Sequence, residues 1–483
     1  MINPLSKKTF TAFVILLTGF SAFSQGYTIH LTLKPFVNSK VYLGYHYGKV
    51  KAVADSVILD GNSEGVFKGK EKLAGGIYFI VSPKKEILFE LLIDQAQNFS
   101  ISADSARLPA SIAFTGSPEN NAFLDYTVYM NMHGKELSAL QSQLSTAKSK
   151  NDSLALKEKI KKINDEVKSE REQVEAKNPN GLLATLLRAL KEPVVPPVPT
   201  LANGRPDSTF AYRYYKAHYW DNISFTDDRL LRTPIFEPKL DHYYKDLVSP
   251  EPDSINREID HMLLFSRTNK DMFKFLLVYF VQKYINPEYM GQDAVFIHLF
   301  EKYINTGQAD FFTEKYRKFV DDRAYSIMAN LIGQPAANLE MTDTLGKVRS
   351  LYEIPANFVL VCFWDPTCSH CKETIPKLDS IYQAKWKYEG VQIYAVMVDG
   401  GQDNWRNFIR AHNLGDWINV YQTTAQHDAE TVAGRPDYRQ LYDVYQTPEI
   451  YLLDKEKRIM AKKLTYQQVD EVLNLKLKKA NTP

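Results

Sequence analysis

An apolar run, Phe358-Val359-Leu360-Val361-Cys362-Phe363-Trp364, leads almost directly into Cys368-Ser369-His370-Cys371. The run has the length and composition of a buried strand, and the residues from Ser369 onward suit a helix. Two thiols therefore stand where a strand gives way to a helix. A helix N-terminus carries partial positive charge and favours a thiolate, the form that attacks disulfides. Cysteines at i and i+3 lie about one helical turn apart, near enough to close into a disulfide. The junction implies an α/β fold that carries thiol–disulfide exchange.

Cysteine usage supports that reading. The 483-residue chain has three cysteines, Cys362, Cys368 and Cys371, all within ten residues. A disulfide-stapled scaffold would spread its cysteines along the chain. A zinc knuckle also uses Cys-x-x-Cys but needs two further ligands, and only Cys362 and scattered His remain. Cys362 itself suits a buried strand position. Lys7 and Lys8, the apolar stretch Phe10 to Phe20 and Ala22-Phe23-Ser24 form a signal-peptide pattern over 1–24, too short to span a bilayer comfortably. Export to the periplasm or cell envelope is expected. Net charge is +2, so no strong electrostatic pull towards nucleic acid or a membrane surface is implied.

Three regions follow. Residues 25–116 alternate in short runs broken by Asp60-Gly61-Asn62 and Ala74-Gly75-Gly76, as in a small antiparallel all-β sandwich or barrel. Residues 117–331 read as an all-α central domain. Within it Leu137, Leu140 and Leu144, then Leu156, Ile160, Ile163, Val167 and Val174, mark two stripes of a helical hairpin, broken near Ser149. Glu192 to Pro199 cannot continue a helix. Phe273 to Val281 is apolar but short, a buried helix rather than a membrane span. Residues 332–483 return to α/β alternation, with strands at 358–364, 391–398 and 449–453 between helices at 369–386, 402–413 and 466–479.

The stretch Phe363 to Pro376 resembles the active-site segment of thioredoxin-fold proteins of the TlpA/ResA type. Gly333-Gln334-Pro335-Ala336 with Leu339 resembles that family's domain opening, and Thr447-Pro448-Glu449-Ile450 resembles its cis-proline strand. The interval from Cys368 to Pro448 holds an insertion around 423–443, as in that family. The resemblance implies a C-terminal α/β thioredoxin-like domain acting as a thiol–disulfide oxidoreductase of the reductase type. Its partners would be protein thiols and disulfides of the envelope, with electrons from a membrane or periplasmic donor and no bound cofactor.

On this resemblance Cys368 attacks and Cys371 resolves. Pro448 faces the dithiol, and Thr447 pairs with an extended partner segment. Trp364 and Pro366 would contribute to partner binding. An imidazole at His370 would stabilise the Cys368 thiolate, which makes a disulfide more oxidising and is a feature of DsbA-type oxidants. Thr374 stands where the family keeps an acid, which leaves Glu373, one residue away, as the candidate proton acceptor for Cys371. The peroxidase pattern Pro-x-x-x-Thr-x-x-Cys is not met, since Val361 and Asp365 occupy its positions. Rival readings are a disulfide donor or isomerase, and an envelope scaffold whose dithiol is a regulatory latch.

Overall fold

The computed structural model describes residues 26–480, so the signal-peptide segment 1–24 lies outside the described residues. The chain divides into two compact units, Met1–His242 and Tyr243–Pro483. This division falls inside the helical stretch.

The first unit begins with eight strands: β1 (Tyr27–Lys34), β2 (Lys40–Tyr47), β3 (Val50–Ile58), β4 (Glu64–Gly69), β5 (Gly76–Val81), β6 (Ile87–Ile93), β7 (Asn98–Asp104) and β8 (Ala113–Thr115). They form two four-stranded sheets, ordered β4-β1-β7-β8 and β3-β2-β5-β6. The pairing is antiparallel except between β1 and β7, which run parallel. Alternation sets the packing: Ile29, Leu31 and Leu33 of β1 point inward to meet Leu43, Ile80 and Leu91 from the other sheet.

Five helices follow, α1 (Pro118–Thr146), α2 (Lys150–Lys177), α3 (Leu182–Ala189), α4 (Phe210–His218) and α5 (Phe236–His242). α1 and α2 form the expected hairpin, with Ile163 and Val167 buried on the α2 stripe. The break falls at Ser149, whose hydroxyl caps α2 by accepting from the Asn151 and Asp152 amides. α3 lays Leu182, Leu183, Leu186 and Leu187 against Ile77 and Leu92, covering the outer side of β5 and β6. That cover explains why β5 is buried almost along its whole length.

The second unit opens with α6 (Pro252–Ser266), α7 (Lys270–Tyr284), α8 (Asp293–Leu299) and α9 (Glu314–Met328). α7 buries Phe275, Leu276, Leu277, Phe280 and Val281. Among the described residues no helix is long and apolar enough to cross a membrane.

The remainder is α/β. Its strands are β9 (Glu340–Asp343), β10 (Val348–Ser350), β11 (Phe358–Trp364), β12 (Val391–Met397), β13 (Ile418–Tyr421), β14 (Glu449–Asp454) and β15 (Ile459–Lys462). Its helices are α10 (Ser369–Ala384), α11 (Gln402–Ala411), α12 (Thr424–Val432), α13 (Tyr438–Leu441) and α14 (Tyr466–Ala480). The strands make one seven-stranded sheet, ordered β10-β9-β13-β12-β11-β14-β15. β11 lies between parallel β12 and antiparallel β14. Both faces of this central strand are covered: Leu360, Cys362 and Trp364 enter the core beneath α10, and Val359, Val361 and Phe363 enter the core on the opposite face. Burying each such large apolar side chain stabilises by about 1.5–3 kcal/mol. The fold is therefore a β-rich N-terminal region, a central helical region and a thioredoxin-like α/β domain with a mixed sheet.

Candidate functional site

Where β11 ends, its last carbonyl (Trp364) accepts from the Val398 amide at 2.8 Å, and the chain then turns sharply. Asp365 makes the turn: its Oδ1 accepts from the Thr367 amide at 2.6 Å and the Thr367 hydroxyl at 2.7 Å. The turn packs on Gly400, where a Cβ would sit 2.4 Å from Asp365 Oδ1 and where φ is +94°. Only glycine fits both demands.

Cys368 is the N-cap residue of α10, and its side chain makes no cap hydrogen bond. It is partly exposed, whereas Cys371 is fully buried one turn into the helix. Burial alone would push the Cys368 thiol up. The backbone amides of Cys371 and His370 and the Thr447 side chain outweigh it, and the thiol falls below its ordinary value of 9.0. Burial dominates at Cys371 and pushes its thiol up to about 12, against the pull of the Asp365 amide, which donates to Sγ at 3.4 Å. The two sulfurs thus have opposite characters, one poised as a thiolate and one held protonated.

The Thr447-Pro448 segment faces them. Cys368 Sγ lies 3.5 Å from the Thr447 carbonyl oxygen. The Thr447–Pro448 peptide is cis. The structure thus brings Cys368, Cys371, Thr447 and Pro448 together, although Thr447 is 79 residues from Cys368.

The other expected site residues are placed differently. Trp364 is fully buried, with its ring 5.1 Å from that of Phe408, because strand alternation sends it to the core with Cys362. Pro366 is buried too. Neither is open to a partner, which corrects the expectation that they contribute to partner binding. Glu373 is exposed on α10 and is not among the groups acting on Cys371, so it is not the neighbour a proton acceptor must be. The rotation of about 100° per helical residue turns it away. His370 is exposed as well, and it acts on Cys368 through its backbone amide. Cys362 is a core residue whose thiol burial pushes far up.

Two acids escaped the reading of the sequence. Asp365 shapes the turn before the thiols. Glu449, the first residue of β14, is 3% exposed, and its Oε1 has no hydrogen-bond partner. Burial pushes its carboxyl up to about 7. An acid placed directly before the apolar run Ile450-Tyr451-Leu452-Leu453 was the available signal. Among the described residues no group of three or more His, Cys, Asp or Glu could hold a metal ion.

Residues 332–462 match the model of the AhpC/TSA family. The match covers the α/β region, and the fold seen there is thioredoxin-like. Residues 148–324 match a second family model, described as a domain of unknown function (DUF5106). No curated protein matches the chain. Several solved structures are similar. A domain of a "possible thiol-disulfide isomerase" from Cytophaga hutchinsonii is 36% identical, covering 32% of this chain and 97% of that one, with a TM-score of 0.28. A thioredoxin-like protein from Bacteroides caccae is 23% identical, covering 58% of this chain and 98% of that one, with a TM-score of 0.43. A thiol:disulfide interchange protein from a Bacteroides species is 28% identical, covering 30% and 93%, with a TM-score of 0.26.

Proposed function

We propose that this protein is an exported thiol–disulfide oxidoreductase of the cell envelope that works as a reductase through Cys368 and Cys371. The observation that carries the reading is the asymmetry of the pair: a partly exposed, thiolate-favoured Cys368 at the open end of α10 and a buried, protonated Cys371 behind it. The Cys368 thiolate attacks a partner disulfide. One S–S bond forms, the partner's S–S bond breaks, and one partner sulfur leaves as a thiolate. Cys371 then attacks Cys368 Sγ, its proton passing to the departing thiolate. The partner gains two electrons and leaves as a dithiol, and the protein keeps a Cys368–Cys371 disulfide. A thiol donor of the membrane or periplasm must reduce that disulfide for a further cycle. Thr447 and Pro448 present the partner segment beside Cys368.

A second reading is favoured by one observation. The groups that lower the Cys368 thiol stabilise the reduced protein, and that makes its disulfide a better oxidant. In this reading the protein donates disulfides. A scaffold with a latch would show neither activity.

The test mixes reduced Cys371→Ser protein with a protein disulfide. A stable mixed disulfide on Cys368 is expected, with release of the partner dithiol only by the wild type. No mixed disulfide would remove the oxidoreductase reading. Net transfer of a disulfide from oxidised wild type to a reduced protein, without the reverse reaction, would favour the donor.

A further inference from the structure

Within the second unit, the segment that delivers Thr447 to the thiols is gripped by side chains from the helical part. Asp443 follows α13 with a φ of +51°, a left-handed conformation that aspartate tolerates. It is 2% exposed, and its carboxylate accepts from Arg323 Nη1 of α9 and from Lys463 Nζ. Arg323 Nη2 donates to Asn286 Oδ1 at 3.2 Å, which fixes the plane of the guanidinium. The same guanidinium lies 5.8 Å from the ring of Tyr445, a residue otherwise 75% exposed. Just past α9, Asn330 Nδ2 donates to the Leu441 carbonyl at 3.1 Å. Residues 441–445 are thus held at three points by two residues outside the α/β region. Two residues further on, Thr447 meets Cys368.

The surroundings make this grip hard to replace. Glu449, Lys463, Lys462 and Asp293 carry the other charges near Asp443, and Tyr451 packs beside them. Lys462 is 5% exposed and spends its ammonium on Asp293 and on Asn330, whose Oδ1 is 2.6 Å away. A buried charge that loses its partner strongly destabilises its surroundings.

We infer that Arg323 is a positioning residue of the dithiol site: by gripping Asp443 and facing Tyr445, it holds Thr447 against Cys368. The redox site is then completed by a helix that precedes the thioredoxin-like stretch. The inference rests on the reading of Cys368 and Cys371 as a redox pair.

The experiment uses the full chain and the variants Arg323→Met and Arg323→Lys. Arg229→Met serves as control. Arg229 is also a half-buried arginine, but in the first unit, where it grips Asp94 at 2.8 Å and Asp227 at 2.6 Å. The rate of Cys368 alkylation is followed against pH by mass spectrometry. If Thr447 drifts from Cys368, the thiolate loses the Thr447 side chain, one of the groups that hold the thiol below its ordinary value, and the midpoint rises. R323M is expected to leave about threefold less thiolate at a given pH, a shift of about 0.5 unit. R323K keeps the charge but not the fork, and its midpoint should fall between those of R323M and wild type. R229M should lower the melting temperature without moving the midpoint. A folded R323M with the wild-type midpoint overturns the inference. If R323M does not fold, R323K is read alone, and an unmoved midpoint overturns it equally. Absence of a reversible Cys368–Cys371 couple in the wild type would instead remove the functional reading, and the midpoints would still report on Arg323.

Discussion

Two helix starts in this protein meet the same physical demand with different atoms. The first amides of α2 and of α10 have no partners within their helices. At α2 the Ser149 hydroxyl takes two of them, and the end is closed. At α10 the corresponding residue is Cys368, whose neutral side chain caps nothing. The amides of His370 and Cys371 are left to stabilise a negative sulfur when one forms. A second difference lies in what each start faces. The α2 start is exposed, whereas α10 opens beside Thr447 on a loop backed by buried charge. A good structural cap and a reactive end thus exclude one another: the amide that satisfies a serine is no longer available to a thiolate.

The largest effect should come from making the second start resemble the first. Cys368→Ser gives α10 an ordinary cap and removes the nucleophile. Exchange with a protein disulfide should fall by about a thousandfold or more, measured under saturating reductant. Unchanged turnover would break the comparison.

The next prediction separates the two cysteines by pH. A thiol held below its ordinary value has more thiolate at any given pH, so its alkylation rate levels off earlier. Cys368 should label with a midpoint below 9.0, and Cys371 should resist until pH approaches about 12. Equal midpoints would mean that the helix start does nothing for Cys368.

The charge behind α10 gives a third test. The Glu449 carboxyl is raised from 4.5 to about 7 on folding. The unfolded chain therefore loses this proton first as pH rises. Stability should decline between pH 4.5 and about 7, by roughly 3 kcal/mol. Glu449→Gln should flatten that decline and be the more stable protein at pH 8 in urea titrations. A steeper decline in the variant would contradict the burial argument.

Smaller effects belong to the α2 cap and to the exposed face of α10. Ser149→Ala should cost about 1 kcal/mol of local stability and leave exchange unchanged, as seen by hydrogen exchange and turnover. Glu373→Gln should change neither, because the residue points to solvent. A clear loss of turnover in E373Q would restore it as a proton acceptor.

The parts of the fold that could be read from sequence are those with a strong period. β11, β12 and β14 are long apolar runs, and Ser149 and Cys368 both stand at recognisable helix starts. β9, β10, β13 and β15 were not foreseen, since each has only three or four residues and mixed polarity. At the site, the spacing of Cys368 and Cys371 could be read at one strand–helix junction, whereas Thr447 and Pro448 were reached only through the family resemblance, and the structure places Thr447 beside Cys368. Trp364 and Pro366 were misread because adjacency to a reactive residue says nothing about which way a side chain points. Arg323 was invisible: it meets Asp443 across 120 residues, and no local pattern records such a contact.

The most direct test of the account is a thiol-trapping titration of the protein in dithiothreitol and glutathione buffers, with mass spectrometry to locate the bond. The account predicts one reversible two-electron couple between Cys368 and Cys371, with a potential near the thioredoxin value of about −270 mV. A value near about −120 mV would keep the couple and turn the protein into a disulfide donor. No reversible couple, or a bond that uses Cys362, would contradict the account.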